Sequence, residues 1–229
     1  HGKIAVSLPA QQFISKHFPG KYVIIPNGVD LEHFTPQHQI QNIRENGEKD
    51  ILFVGRLEKR KGLDYLLAAY HEVKEHYPRA RLTIVGPGTI MRQKYEWLVK
   101  ERQLTDVDFT GLIPYEELPR YYGAASVFCA PATGGESFGM VLLEAMAMGK
   151  PVVASAIDGY SQLVTSGEEG LLVHPKDSSE LAQAILTLLN DPVLCQRMAL
   201  KGRAKAEQYS WEKIARQVMD YYQVLLGQY

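Results

Sequence analysis

The sequence predicts an α/β fold, a parallel sheet with flanking helices and a helical C-terminus, on three observations. Between residues 50 and 173, short apolar runs of strand length alternate with amphipathic stretches of helical period, the pattern of βαβ units around a buried sheet. From residue 178 onward helix follows helix with no strand between. The 229 residues, 45% hydrophobic and 22% charged, suit one ordinary globular domain or one and a half.

Taken in order, residues 3–7 read as a short apolar strand, 8–18 as a helix stopped by Pro19-Gly20, and 22–26 as a second strand. Pro26-Asn27-Gly28-Val29-Asp30 is a turn by its Asn-Gly pair, and the polar stretch 31–49 reads as a linker. The regular part then predicts strand 51–55, helix 63–76, strand 81–86, helix 90–102, strand 106–110, helix 116–124 and strand 126–130. Helix 138–148, strand 151–154, a short element at 160–165 and strand 170–173 complete it, a Rossmann-like half. Helices follow at 178–189, 192 to about 208, and 211–226, with Ser178 or Ser179 and Ser210 as caps and Pro192 in a first turn. Trp211, Ile214, Val218, Tyr221, Tyr222 and Leu225 give the last helix more apolar surface than a solvent-facing helix carries.

Composition excludes several classes. With 25 basic and 26 acidic residues and a net charge of -1, no global field recruits nucleic acid, and no basic stripe is interleaved with aromatics. Cys129 and Cys195 are isolated, so neither a disulfide framework nor a metal site follows, and Cys129 reads as a buried thiol in an apolar strand. The histidines are scattered without metal-ligand spacing, and His174 reads as structural. No run approaches 18 apolar residues, and His1-Gly2-Lys3 is neither a signal peptide nor an initiator start. The expectation is a cytoplasmic chain cut from something longer.

Chemistry concentrates between Ala130 and Ser155, where Glu136 and Glu144 stand eight residues apart. Pro131, Gly134 and Gly135 end the preceding strand in a tight loop, so Glu136 falls at a helix mouth. There the N–H groups of Phe138, Gly139, Met140 and Val141 would be unpaired first-turn donors suited to a phosphate. Glu144 lies one to two turns further in, among Val141, Leu142, Leu143 and Ala145, where a carboxylate needs a polar partner or a solvated cleft. Taken singly, each acidic residue also fits a bland role, at a helix start or on a surface.

A second constellation, Gly55-Arg56-Leu57-Glu58-Lys59-Arg60-Lys61-Gly62, follows the strand I-L-F-V, at the edge where open parallel sheets bind ligands. Arg and Lys there can face a diphosphate; Lys59 and Arg60 read as surface charges by default. Gly86-Pro87-Gly88 follows another strand but fails as a dinucleotide fingerprint, because Met91 stands where a third glycine is needed. That loop is expected to let the backbone turn close to a ligand, with Gly88 on the donor side.

The string T-G-G-E-S-F-G followed by V-L-L-E-A-M-A resembles the E-x7-E signature of retaining glycosyltransferases of the GT-B fold, family four, and is especially similar to the phosphatidylinositol mannosyltransferases. G-R-L-x-x-x-K-G at 55–62 is the same family's pattern, P-N-G-V-D at 26–30 resembles its interdomain segment, and the likeness runs from about residue 4 to 225. It implies the C-terminal, donor-binding half of a GT-B enzyme. Residues 1–36 would be the tail of a missing N-terminal domain plus linker, 37–206 the nucleotide-sugar domain, and 207–229 a helix returning toward the missing domain.

The implied function is transfer of a hexose, mannose from GDP-mannose being favoured, to a lipid or glycan hydroxyl with retention. Phosphatidylinositol is the favoured acceptor, which would add a peripheral place at the inner face of the membrane. The resemblance makes Arg56 and Lys61 the diphosphate pair and Glu136 the holder of the sugar hydroxyls and the developing oxocarbenium ion, these three being the catalytic set. Glu144 accepts from the ribose hydroxyls, Gly55 and Ser137 line the donor site with the helix start 138–141, and Ile113 frames the base. Those mannosyltransferases carry an aspartate two residues beyond the position of Ile113. Tyr115 stands there instead, so guanine recognition would pass to Glu116 or Glu117, and a UDP- or ADP-sugar donor stays open. A covalent role for Glu136 would need a second carboxyl ~5 Å away; an internal-return displacement is expected instead. No cofactor beyond the nucleotide-sugar co-substrate and no metal is expected, since Arg and Lys neutralise the diphosphate. The truncated chain itself is expected to bind donor without transferring it; a non-catalytic nucleotide-sugar module and a GT-B epimerase or phosphorylase are the alternatives.

Overall fold

The computed structural model of the chain describes residues 2–36 and 48–227. Most of the expected linker, residues 37–47, lies outside the described residues. A small parallel pair comes first: β1 (Ile4–Ala5) lies beside β2 (Val23–Ile24), joined through α1 (Leu8–Ile14). The Ser7 hydroxyl caps α1 by accepting from the Ala10 N–H at 3.1 Å. This helix ends at Ile14, a turn short of the expected 18.

The main sheet is built from β3 (Lys49–Val54), β4 (Ala80–Val85), β5 (Val107–Gly111), β6 (Val127–Ala130), β7 (Val152–Ser155) and β8 (Gly170–Val173). All its pairings are parallel, in the order β5-β4-β3-β6-β7-β8. The strands are apolar on both faces because both are covered. Successive residues of β3 alternate between cores: Ile51 and Phe53 pack with α2 (Leu63–His76), α3 (Ile90–Glu101) and α7 (Ser178–Asn190), and Leu52 packs with α4 (Leu118–Ala124) and α5 (Met140–Ala147). In α2 the buried residues Leu63, Leu66, Leu67, Tyr70 and Val73 keep to one stripe. Val29, and Phe34 at the start of the expected linker, are buried in the second core.

The remaining helices are α6 (Asp158–Ser161), α8 (Pro192–Ala206) and α9 (Trp211–Leu226). Several boundaries differ from expectation for local reasons. Residues 115–117 form a 3-10 turn before α4, since Pro119 suits the first turn of a helix starting at Leu118. The element expected at 160–165 is the single turn α6. In α9 Ile214 is buried while Trp211, Met219, Tyr222, Val224 and Leu226 are exposed. Its far end meets the N-terminal segment, where the Tyr221 hydroxyl accepts from the Lys3 N–H at 3.2 Å.

Candidate functional site

In the strand order the chain runs outward from β3 through β4 and β5 on one side, and from β6 through β7 and β8 on the other. The carboxyl ends of β3 and β6 therefore flank the switch point where open α/β sheets form their ligand crevice. The two loops singled out by sequence, 55–62 and 131–139, are the ones that leave those ends. Backbone contact locks them together: the Thr133 N–H donates to the Arg60 carbonyl at 2.8 Å. Gly62 has φ 76° and lies so near Pro131 that a Cβ would stand 1.8 Å from its carbonyl oxygen.

Glu136 sits at the centre of this junction. Its Oε1 accepts from Lys61 Nζ at 2.8 Å and also pairs with the Arg60 guanidinium. Its side chain is only 12% exposed. Withdrawing a carboxylate this far from water is costly without such partners. Arg60, expected to be a surface charge, is thus part of the site, and its guanidinium also reaches the Gly135 carbonyl at 3.2 Å and Glu58 at 2.8 Å. Burial works against its charge, but Glu136 and Glu58 outweigh that and hold its pKa above the ordinary value. The sequence held no signal separating Arg60 from its neighbours; the 3-10 turn Lys59–Lys61 makes the choice. Arg56 instead pairs with Glu58 at 3.0 Å, its side chain 66% exposed and apart from Glu136.

The glutamate helix begins two residues later than expected, at Met140, because Gly139 takes a left-handed backbone of φ 97° as its N-cap. A side chain there would stand 2.9 Å from the Tyr160 ring. The Leu142 and Leu143 N–H groups both fold back to the Gly139 carbonyl, so the free donors of the helix start are those of Met140 and Val141. Phe138 is buried and Ser137 is exposed on the loop.

Glu144 lies one turn into α5, half-buried, and its Oε2 accepts from the Tyr122 hydroxyl at 2.7 Å. Burial raises its pKa, against the Tyr122 hydrogen bond and the nearby His33 ring. Tyr122, wholly buried, is pushed far up by burial and by the Glu144 charge. Near them the His33 ring stacks on Tyr115, centroids 4.2 Å apart at 11°, and its Nε2 is 3.0 Å from the Tyr115 carbonyl. Neither His33 nor Tyr122 stood out in the sequence. Ile113 is half-buried against the second core. The loop after β4, which carries Gly88, packs closely on the basic loop that follows β3. A Cβ on Gly86 would stand 2.0 Å from the Gly55 carbonyl, and one on Gly88 2.6 Å from Leu57.

A cavity of about 820 Å³ opens beside Glu136, walled by Pro9, Phe13 and Ile14 of α1 on one side and by residues 134–137 on the other. Most of its wall is apolar, with Glu136, Ser137 and Asp158 as the polar side chains, and its volume is that of a small-molecule site. Among the described residues no helix is long and apolar enough to cross a membrane.

Residues 35–205 match the family described as Glycosyl transferases group 1. The chain is 36% identical over 231 aligned residues to a phosphatidyl-myo-inositol mannosyltransferase of Mycobacterium tuberculosis, covering 99% of this chain and 60% of that protein. It is also 36% identical to a D-inositol 3-phosphate glycosyltransferase of Corynebacterium urealyticum, over 90% of this chain and 51% of that one. Among solved structures, a sucrose-phosphate synthase from Thermosynechococcus elongatus superimposes with a TM-score of 0.87 at 34% identity, covering 99% of this chain and 58% of the other. Anabaena HepE in complex with UDP and glucose superimposes with a TM-score of 0.82 at 26% identity, covering 96% of this chain and 62% of the other. The chain thus spans about 60% of the length of the curated mannosyltransferase it matches.

Proposed function

The chain belongs to the glycosyl transferases group 1 family, and from that premise we propose that it binds the nucleoside diphosphate sugar of a retaining hexosyl transfer. The observation that carries this reading is Glu136, held between Lys61 and Arg60 at the switch point and beside the open start of α5. The diphosphate lies against the Met140 and Val141 N–H groups and Lys61, and Arg56 turns from Glu58 to join them. These charges stabilise the leaving group as its negative charge grows. Glu136 accepts from the sugar hydroxyls and faces the oxocarbenium charge; Glu144 accepts from the ribose. The bond from the anomeric carbon to the phosphate oxygen breaks. An acceptor oxygen bonds on the same face, and its proton passes to the departing phosphate.

The names of the inositol-lipid mannosyltransferase relatives favour mannose and phosphatidylinositol, hence a membrane-surface acceptor. Ile113 and the loop to Glu116 and Glu117 frame the base. Tyr115 in that loop, and the likeness to a protein seen with UDP and glucose, keep a uridine donor as the second reading. Titrating GDP, UDP and ADP separates the two: GDP binding at least ~10-fold tighter supports the mannosyl reading, and UDP preference overturns it. The roles of the two glutamates separate by calorimetry. Glu144→Ala should weaken nucleoside diphosphate binding by ~1–3 kcal/mol, while Glu136→Gln should spare the bare diphosphate and weaken the sugar-bearing donor. Equal losses of nucleoside diphosphate in both would remove the assignment.

A further inference from the structure

On the α2 side of the basic loop lies a second cavity, of about 740 Å³, whose lining includes Lys59, Arg60, Lys94, Arg102 and Lys176. Asp64 is the one carboxylate in that lining, and it is already engaged by Lys94 at 2.7 Å and the Tyr95 hydroxyl at 3.2 Å. Among the described residues Lys59, Arg102 and Lys176 form no ion pair. Over a whole chain of 25 basic and 26 acidic residues, five cations around one cavity are a strong local asymmetry. Lys94 is neutralised by Asp64, and Arg60 by Glu136 and Glu58; the other three cations repel one another without counter-charge, so the arrangement favours an anion that neutralises them. Lys176 adds a backbone observation: it holds φ 69°, a left-handed conformation that a non-glycine residue adopts at a cost.

This cavity is separate from the donor crevice, since Arg56, Lys61, Glu136 and the start of α5 are not in its lining. Arg60 alone belongs to both, facing the cavity while its guanidinium holds Glu136. We propose that the cavity binds a phosphate-bearing anion and that Arg60 couples its occupancy to Glu136. An anion there competes for Arg60 and leaves Lys61 as the remaining cation on Glu136. The affinity of the donor site for a sugar-bearing nucleotide then changes, and by linkage the donor changes the affinity for the anion. The coupling rests on the donor-site reading of Glu136; the anion site does not.

The test uses inorganic tripolyphosphate as the soluble probe and vesicles of phosphatidylcholine with phosphatidylglycerol as the lipid-headgroup probe. Wild type is compared with a variant carrying Lys59→Gln, Arg102→Gln and Lys176→Gln, all exposed positions, and with Lys61→Gln. Binding of either probe that weakens more than ~10-fold in the triple variant but not in Lys61→Gln supports the site, and the responding probe identifies the source. The triple variant should keep its affinity for a nucleoside diphosphate. Tripolyphosphate that is displaced one-for-one by nucleoside diphosphate, or that binds the triple variant as it binds wild type, with vesicles equally indifferent, overturns the site. For the coupling, saturating tripolyphosphate should shift sugar-nucleotide affinity in wild type and not in the triple variant; no shift in wild type overturns it. If no nucleotide binds at all, the donor-site reading falls while the tripolyphosphate comparison still decides the anion site.

Discussion

Lys150 shows what a single half-buried charge does to this fold. Its Nζ donates to the Gly123 carbonyl at 2.8 Å, and burial pulls its pKa from 10.5 down to about 8. The unfolded chain therefore binds more protons than the native one between those values, so this group makes stability rise with pH across that window. Below about pH 8 the full cost of burying the ammonium, on the order of 3 kcal/mol, is present. Replacing it as Lys150→Met should raise stability relative to wild type at pH 7, and the advantage should shrink by pH 10.5. Loss of the hydrogen bond to Gly123 offsets part of the gain, more at pH 7, where the donor is charged, than at pH 10.5. Denaturant unfolding of both proteins at the two pH values is the check, and a pH-independent difference would show that Lys150 is not desolvated. Residue types drew attention to Glu136 and Glu144, a carboxylate in a glycine loop and another in an apolar helix, but each alone also fits a bland role, and the resemblance of the whole string is what assigned them to a donor site. Arg60 was not legible, because Lys59, Arg60 and Lys61 are equivalent in a charge run until a turn sends two of them to one carboxylate.

Among the elements, the two loops at the switch point are locked together by direct backbone contact. Gly62→Ala would force a side chain into a left-handed backbone and against the Pro131 carbonyl. The conformational cost alone is ~1–2 kcal/mol, and relieving the contact must also pull the loops apart. Gly55→Ala is the control, since its Cβ would meet Phe53 at an ordinary 3.6 Å. Urea unfolding should place Gly62→Ala well below wild type and Gly55→Ala near it; equal midpoints for the two variants would show that the loops are not locked. The order of strands and helices was legible because β-length apolar runs and helical stripes differ in period. Residues 63–76 were read with the bounds that α2 has. Ends were less legible where glycine decides: Gly139 can lie inside a helix or cap one, and here its left-handed backbone of φ 97° makes it the cap. The pairing of His33 with Tyr115 was illegible for another reason, as it joins residues 82 positions apart.

Across the whole molecule, the parallel sheet gathers the groups assigned to the donor at one edge, while the wall facing them is thin. That wall is α1, whose Phe13 is 67% exposed although it lines the cavity with Glu136. Transfer needs more than a held donor. An acceptor hydroxyl must reach the anomeric carbon, and closure around the reacting groups must exclude water, which would otherwise intercept the sugar. The chain spans about 60% of the mannosyltransferase relative, and the acceptor groups are proposed to lie in the remainder of such a protein. These 229 residues should therefore bind a sugar nucleotide without transferring the sugar. Two measurements on the same preparation decide this: calorimetry for donor binding, and a radiolabelled-donor assay with a phosphatidylinositol-containing acceptor for transfer. Binding without labelled lipid is the expected result. Labelled lipid formed at the rate of a full-length relative would place the acceptor site within this chain, and absence of donor binding would remove the switch-point crevice as the donor site.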